Sequence, residues 1–152
     1  MQDFSLVSLA TFLSSLANSL PGVGGQNSTV SNGLYQATLL IAFFFLLRPG
    51  EYTVSPADST PFELKDVQLF QGARRLDLAT ASDADISAAT FASLTFDKQK
   101  NGVRGEVIGH GKSGNPLLCP VKALSRRVLH LRDHNMPPST PLAHCCTDGS
   151  AV

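Results

Sequence analysis

Residues 91–108 read FASLTFDKQKNGVRGEVI, and this stretch decides the fold. Its first half, Phe91 to Lys98, has apolar residues at positions that suit a strand, and a second strand-like run extends from Arg104 to Ile108. Asn101-Gly102 stands between the two runs. Both residues tolerate the positive φ angles that a tight hairpin turn requires. The stretch therefore predicts an antiparallel hairpin with a basic tip.

Short strands and one helix flank this hairpin. Residues Glu63 to Phe70 and Arg74 to Leu78 are strand-like and surround a Gln-Gly turn, which is consistent with a second hairpin. The segment from Ala79 to Thr90 is rich in Ala, Ser and Asp, and we expect a loop or a weak helix there. Pro120 suits the first position of a helix that continues from Val121 to Arg132. The residues expected inward on this helix are Val121, Leu124, Val128 and Leu131; those expected mostly outward are Lys122, Arg126, Arg127 and Arg132.

Two helices are predicted before the sheet, each stopped by a Pro-Gly pair. Apolar residues recur with a helical period over residues 6–20. The second helix can be capped by Ser31 or Asn32 and extends through Leu47. It is apolar nearly all round, so other elements should enclose it. Its apolar run, residues 34–47, is shorter than the roughly 20 residues that cross a bilayer.

These elements together predict one α+β domain. It has two N-terminal helices, a small antiparallel β-sheet with a basic hairpin, and one following helix, and it is expected to occupy residues 1–133. Beyond it, Pro137-Pro138 and Pro141 interrupt a segment without periodicity. Residues 134–152 are therefore expected to form a poorly ordered tail.

The formal net charge of zero conceals a strong segregation of charge along the chain. Residues 1–96 carry four basic and eight acidic groups, residues 97–132 carry eight basic and two acidic groups, and residues 133–152 carry two acidic groups. The middle segment thus has a net charge of +6. A local excess of this kind attracts a polyanion, because steering follows the local field. The alternative is a solvated basic helix face.

The cysteine content predicts a reducing intracellular compartment, since the three cysteines are an odd number and Met1 does not begin a secretory segment. Cys119, His144, Cys145 and Cys146 form a poor zinc site, because adjacent cysteines fit badly on one tetrahedral ion. Gly111-Lys112-Ser113 resembles the end of a phosphate-binding loop but lacks the glycine that the pattern needs at Glu106. We therefore expect no metal and no small-molecule cofactor.

Three segments together resemble the catalytic domain of the tyrosine recombinases, the phage-integrase family. Leu46-Leu47-Arg48-Pro49-Gly50-Glu51-Tyr52 is similar to the family's first catalytic box, Arg-x-x-Glu at the end of an apolar helix. Gln99 to Glu106 is similar to its lysine-bearing hairpin. Leu118 to Leu124 resembles the strand-to-helix passage that follows, particularly in recombinases of eukaryotic mobile elements. The resemblance covers roughly residues 36–132.

The resemblance implies DNA strand breakage and rejoining, with specific roles for three residues. Arg48 would hold the non-bridging oxygens of a phosphate in a bidentate fork. Lys100, with Lys98 as the second candidate, would protonate the departing 5′ oxygen, and Glu51 would orient the site. An alternative is that Arg48 pairs with Glu51 at a helix end. The residues expected to contact DNA are Lys98, Arg104, Lys112, Arg126 and Arg127.

The chain also departs from the family pattern. None of its four histidines is followed by Arg three places on, so the family's His-x-x-Arg box is missing, and neither Tyr35 nor Tyr52 stands where the family has its nucleophile. We therefore expect the N-terminal half of a catalytic domain, truncated and catalytically incomplete. The family assembles as oligomers on DNA, whereas this fragment is expected to be monomeric, nuclear in a eukaryote, and without a membrane partner. The alternative is a non-catalytic DNA- or RNA-binding module that uses residues 98–132.

Overall fold

The computed structural model describes residues 28–47, 51, 61–97, 105–144 and 146. Within these residues the fold is α+β, with three helices and a four-stranded antiparallel sheet. The helices are α1 (Ser28–Phe44), α2 (Asp83–Ser87) and α3 (Pro120–Asp133). The strands are β1 (Val67–Gln71), β2 (Arg74–Arg75), β3 (Phe91–Phe96) and β4 (Glu106–Gly111), and a 3-10 turn at Leu64–Asp66 precedes β1.

The sheet has the order β2-β1-β3-β4, with every neighbouring pair antiparallel. Strand β3 lies between β1 and β4; its Leu94 pairs with Val67 on one side and with Ile108 on the other. Ala92, Leu94 and Phe96 are buried, as expected for alternate residues that face a core. Both predicted hairpin pairings are thus confirmed, while the Asn101-Gly102 turn lies outside the described residues.

Helices α1 and α3 pack against each other, and α3 also contacts the three longer strands. The core contains side chains from both helices and from β1 and β3, with Ile41, Leu69, Leu94 and Leu124 among its most buried members. Strand β4 forms one edge of the sheet. There the ring of Phe45, which follows the last residue of α1, packs edge-on against the ring of His110 on β4, with 4.8 Å between ring centroids. The enclosure predicted for the second helix is therefore only partial, because Phe43 is 48% exposed. None of the described helices is both long and apolar enough for a membrane span.

Helix α1 ends three residues earlier than its apolar pattern predicts, and the reason lies in its last turn. Leu46 has a left-handed φ of 52°. The amide of Leu47 donates to the carbonyl of Ala42 over 2.9 Å, and the amide of Leu46 donates to that of Phe43 over 3.3 Å. This pair of bonds is the Schellman arrangement, which closes a helix with a left-handed residue. The first predicted helix, residues 6–20, lies outside the described residues.

The segment between the two hairpins contains the short helix α2, in agreement with a loop or weak helix. Ser82 caps it by accepting a hydrogen bond from the amide of Asp85 over 3.1 Å. Ile86 is completely buried and fastens this short helix to the core, where α2 contacts α3. The side chain of Ile86 thus attaches this segment, which is otherwise poor in apolar residues, to the core.

The expectation of a poorly ordered tail from residue 134 is wrong for its first part. Leu142 and Thr140 are buried, and Pro141 forms an isolated β-bridge with Glu63. The amide of Leu142 donates to the carbonyl of Phe62 over 2.7 Å. Pro137 and Pro141 each begin a turn, since their carbonyls accept hydrogen bonds from the amides of Thr140 and His144 over 2.9 Å. Proline has no amide to donate and is tolerated at such turn and edge positions.

We predict that Leu46→Gly stabilises the protein by about 0.5–1 kcal/mol, because glycine has no Cβ to oppose the left-handed conformation. Leu46 is 85% exposed, so its removal loses little packing. The free energy of unfolding in urea measures the effect. Leu46→Ala is the matched control, since it removes the same side chain and keeps the Cβ. Equal stability of the two variants would contradict the assignment.

Candidate nucleic-acid interface

Four of the residues assigned to DNA from the sequence, Arg48, Lys98, Lys100 and Arg104, lie outside the described residues. Glu51, the third member of the resembled catalytic set, is described and half-buried. Its carbonyl oxygen accepts a hydrogen bond from the amide of Phe62 over 2.9 Å. The residue that the sequence assigned to orientation is therefore attached to the chain that leads into β1.

Phe62 connects Glu51 to the base of the basic hairpin. Its ring meets the ring of Phe96 edge-on, with 4.8 Å between centroids. Phe96 is the last residue of β3 and pairs with Glu106, the first residue of β4. Arg48 precedes Glu51 by three residues, and Lys100 follows Phe96 by four. The chain segments that carry these two cations thus start from neighbouring points of the fold.

Helix α3 presents two cations on one exposed face of its N-terminal half. Lys122 and Arg126 are both exposed. Residues four apart on a helix are neighbours, roughly 5–6 Å apart at Cβ. Among the described residues neither side chain has an ion-pair partner. Their charge is consequently available to an external anion, as predicted for Arg126.

Lys112 lies in the loop before α3, and its neighbour Ser113 contacts the residue that precedes the helix. The thiol of Cys119, the residue that precedes the helix, interacts with the backbone amides of both Ser113 and Lys122. Lys112 is exposed and, within the described part of the chain, has no ion-pair partner. The loop after β4 therefore brings a third cation close to the start of α3.

The pKa of Cys119 reports the electrostatic character of this end of the helix. Burial of the thiol opposes its ionisation, but hydrogen bonds from the amides of Lys122, Ser113 and Val121 outweigh burial, and the pKa lies below its ordinary value. Backbone amides at a helix N-terminus carry a positive partial charge. The field at the start of α3 thus stabilises negative charge, which is the property that a phosphate-binding surface needs.

Arg127 does not belong to this surface, and the prediction that it faces outward is wrong. Its side chain is fully buried. Nε donates to the carbonyl oxygen of Leu142 over 2.7 Å, and an Nη donates to the carbonyl oxygen of His144. Periodicity along α3 could not reveal this arrangement, because the acceptors come from the segment predicted to be a disordered tail. In this position the guanidinium is directed at protein carbonyls and not at the protein surface.

Other cations are neutralised by acidic neighbours. Arg132, also predicted outward, is partly buried and lies 3.0 Å from a carboxylate oxygen of Asp83. Lys65 lies 2.5 Å from Glu63. Both cations line a cavity of about 530 Å³ whose other walls are mostly apolar. Two of its three lining cations are paired and Asp77 adds a negative charge, so this cavity is a poorer phosphate site than the exposed face of α3.

A further group of residues could bind a metal ion, and the sequence pattern alone did not identify it. Potential metal-ligating atoms of His130, His134 and Cys146 all lie within 4.8 Å of one another. The zinc set weighed from the sequence contained Cys146 but neither of these histidines. The available signal was the spacing of His130 and His134, four residues apart on a helix, which places both on one face.

No family model matches the chain, and no match was found among curated proteins or solved structures.

We predict that Arg127→Ala lowers the free energy of unfolding by about 3 kcal/mol, because the buried carbonyl of Leu142 and the partly buried carbonyl of His144 lose a donor and a cavity remains. Urea denaturation monitored by circular dichroism measures the loss. Arg126→Ala removes the same side chain one residue earlier, from an exposed site, and should change stability by no more than about 0.5 kcal/mol. Comparable losses in both variants would show that Arg127 is not a buried anchor.

Proposed function

We propose that this chain binds the phosphate backbone of DNA. The observation that carries the proposal is a group of three exposed cations that have no ion-pair partner among the described residues: Lys112 in the loop before α3, Lys122 in its first turn and Arg126 one turn further on. The pKa of the Cys119 thiol there lies below its ordinary value, because hydrogen bonds from backbone amides outweigh the opposing effect of burial. The segment 98–104 adds three further cations between β3 and β4.

The chemistry of this surface favours backbone contacts over base readout. Contacts of lysine and arginine with phosphate supply affinity without sequence information. The surface has two lysines and one arginine and therefore suits repeated phosphates better than a single base edge. In a eukaryotic cell such binding would take place in the nucleus.

We further propose that the domain is related to the tyrosine-recombinase catalytic domain. In this proposal Arg48 holds the non-bridging oxygens of one phosphate and Lys100 faces the leaving 5′ oxygen of the same phosphate. The contacts from Glu51 through Phe62 to Phe96 support it, since they bring the two chain segments to neighbouring starting points. The chain contains no His-x-x-Arg sequence, so the proposed activity is binding and not strand exchange.

We predict that a 30-mer duplex binds with an affinity that falls steeply as salt rises, because each neutralised phosphate releases counterions. Lys122→Gln and Arg126→Gln should each reduce the slope of log K against log salt by about 1. Fluorescence anisotropy over a salt series measures the slope. Lys65→Gln is the charge-matched control, because Lys65 is already paired with Glu63, and its slope should equal that of the parent chain.

Two outcomes would overturn the proposal. One is undetectable duplex binding at low salt. The other is an equal loss in Lys65→Gln, Lys122→Gln and Arg126→Gln, which would indicate a response to net charge alone. Stronger binding of a single-stranded RNA of the same length would favour the RNA-binding alternative.

We predict that Arg48→Gln and Lys100→Gln each weaken duplex binding and that the double variant loses less than the sum of the two effects. Two cations on one phosphate cannot be removed independently, so their free energies are coupled. Anisotropy at one fixed salt concentration gives the double-mutant cycle. Pairing Arg48→Gln with Arg75→Gln, an exposed cation on β2, provides the additive control. Additivity in both cycles would remove the argument for a shared phosphate.

A further inference from the structure

We propose that His130, His134 and Cys146 bind a zinc ion that fastens the C-terminal segment to the end of α3. The proposed zinc site is distinct from DNA binding, since its three ligands are not among the residues assigned to DNA, although His130 lies one helical turn after Arg126. Each of the three side chains offers one ligand atom, and these atoms all lie within 4.8 Å of one another. Ligands that surround one tetrahedral ion at roughly 2.0–2.3 Å are somewhat closer to each other, so small side-chain rotations complete the site.

The two histidines are already oriented for coordination. His134 Nδ1 lies 2.9 Å from the carbonyl oxygen of His130. A histidine that donates from Nδ1 to a carbonyl presents the lone pair of Nε2, which is the usual arrangement around a bound metal. The hydrogen bond that orients His134 therefore comes from the helix itself.

The Nε2 atom of His130 is directed toward Cys146. It accepts a hydrogen bond from the amide of Cys146 over 3.1 Å. An accepting nitrogen is unprotonated, and this is the state that a metal requires. Zinc would replace this weak contact with bonds to Nε2 and to the Cys146 sulfur, whose proton passes to solvent on binding.

The position of Cys146 is set by the buried arginine. Arg127 precedes His130 by three residues on α3 and donates to the carbonyls of Leu142 and His144. These contacts bring the C-terminal segment across the end of the helix, two residues before Cys146. The site is thus assembled by a contact that exists without any ion.

The helix end and the ligand types both favour a zinc-class cation here. The end of a helix carries a negative partial charge, which stabilises a cation in the last turn. Imidazole and thiolate ligands together suit zinc and exclude magnesium and calcium, which prefer oxygen. Three protein ligands leave one coordination position for water or another group.

The test uses the full 152-residue chain, freed of metal by a chelator and kept reduced. Titration with Zn²⁺ against a chromophoric chelator should give one equivalent bound. Co²⁺ should produce the visible bands of a tetrahedral site together with a thiolate-to-cobalt charge-transfer band. Bound Zn²⁺ should also raise the urea midpoint, because the ligands converge only in the folded chain.

Cys146→Ser should remove the charge-transfer band and weaken Zn²⁺ binding about a hundredfold or more, since even indirect changes at zinc sites cost roughly 10–100-fold. His134→Asn should weaken binding similarly while the far-ultraviolet circular dichroism is retained. Cys119→Ser and His144→Asn are the matched controls, because both remove a potential ligand outside the cluster. The controls should bind one equivalent like the parent chain.

Three results would overturn the proposal. The parent chain could bind well below one equivalent of Zn²⁺. Cys146→Ser and Cys119→Ser could bind Zn²⁺ equally, which would indicate adventitious thiol binding. Co²⁺ could give only the weak bands of an octahedral site without a charge-transfer band, which would exclude thiolate coordination. DNA binding is measured separately, so failure of one proposal leaves the other to be judged by its own data.

Discussion

A buried guanidinium must find hydrogen-bond acceptors inside the protein, and this constraint organises the C-terminal half of the structure. Arg127 is fully enclosed, and it meets the requirement with the carbonyls of Leu142 and His144. An unpaired buried charge costs several kcal/mol, so the arginine and the segment that supplies its acceptors are stable only together. The segment in turn pairs with Glu63 ahead of β1. One side chain therefore joins α3, the C-terminal segment and the approach to the sheet.

The sequence predicts the elements that depend on local periodicity and fails where a distant partner decides. The pairing of β3 with β4 and the inward face of α3 follow from apolar spacing, and the structure has both. Burial of Arg127 follows from acceptors 15 and 17 residues away, which no helical period reveals. The early end of α1 likewise depends on the left-handed backbone conformation of Leu46. Leucine seldom adopts this conformation, so the sequence does not predict it.

The candidate sites were predictable to different degrees for the same reason. The segregation of positive charge into residues 97–132 is visible in the sequence, and Lys122 and Arg126 are exposed as expected. Which cations remain available depends on tertiary neighbours: Arg132 meets Asp83 from α2, nearly fifty residues earlier in the chain. The cluster of His130, His134 and Cys146 combines a local spacing that can be read from the sequence with a third member delivered by the fold of the tail.

Helix α3 unites the two proposals, because its two ends have opposite electrostatic character. Amides at its start lower the pKa of Cys119 and lie beside Lys122, so that end attracts anions. Carbonyls at its finish attract cations, and the carbonyl of His130 already orients His134 there. A cation bound at the C-terminus of α3 would hold the C-terminal segment beside Arg127, about one helical turn beyond Arg126. The dipole of a single helix can thus favour phosphate near its N-terminus and a metal ion at its C-terminus.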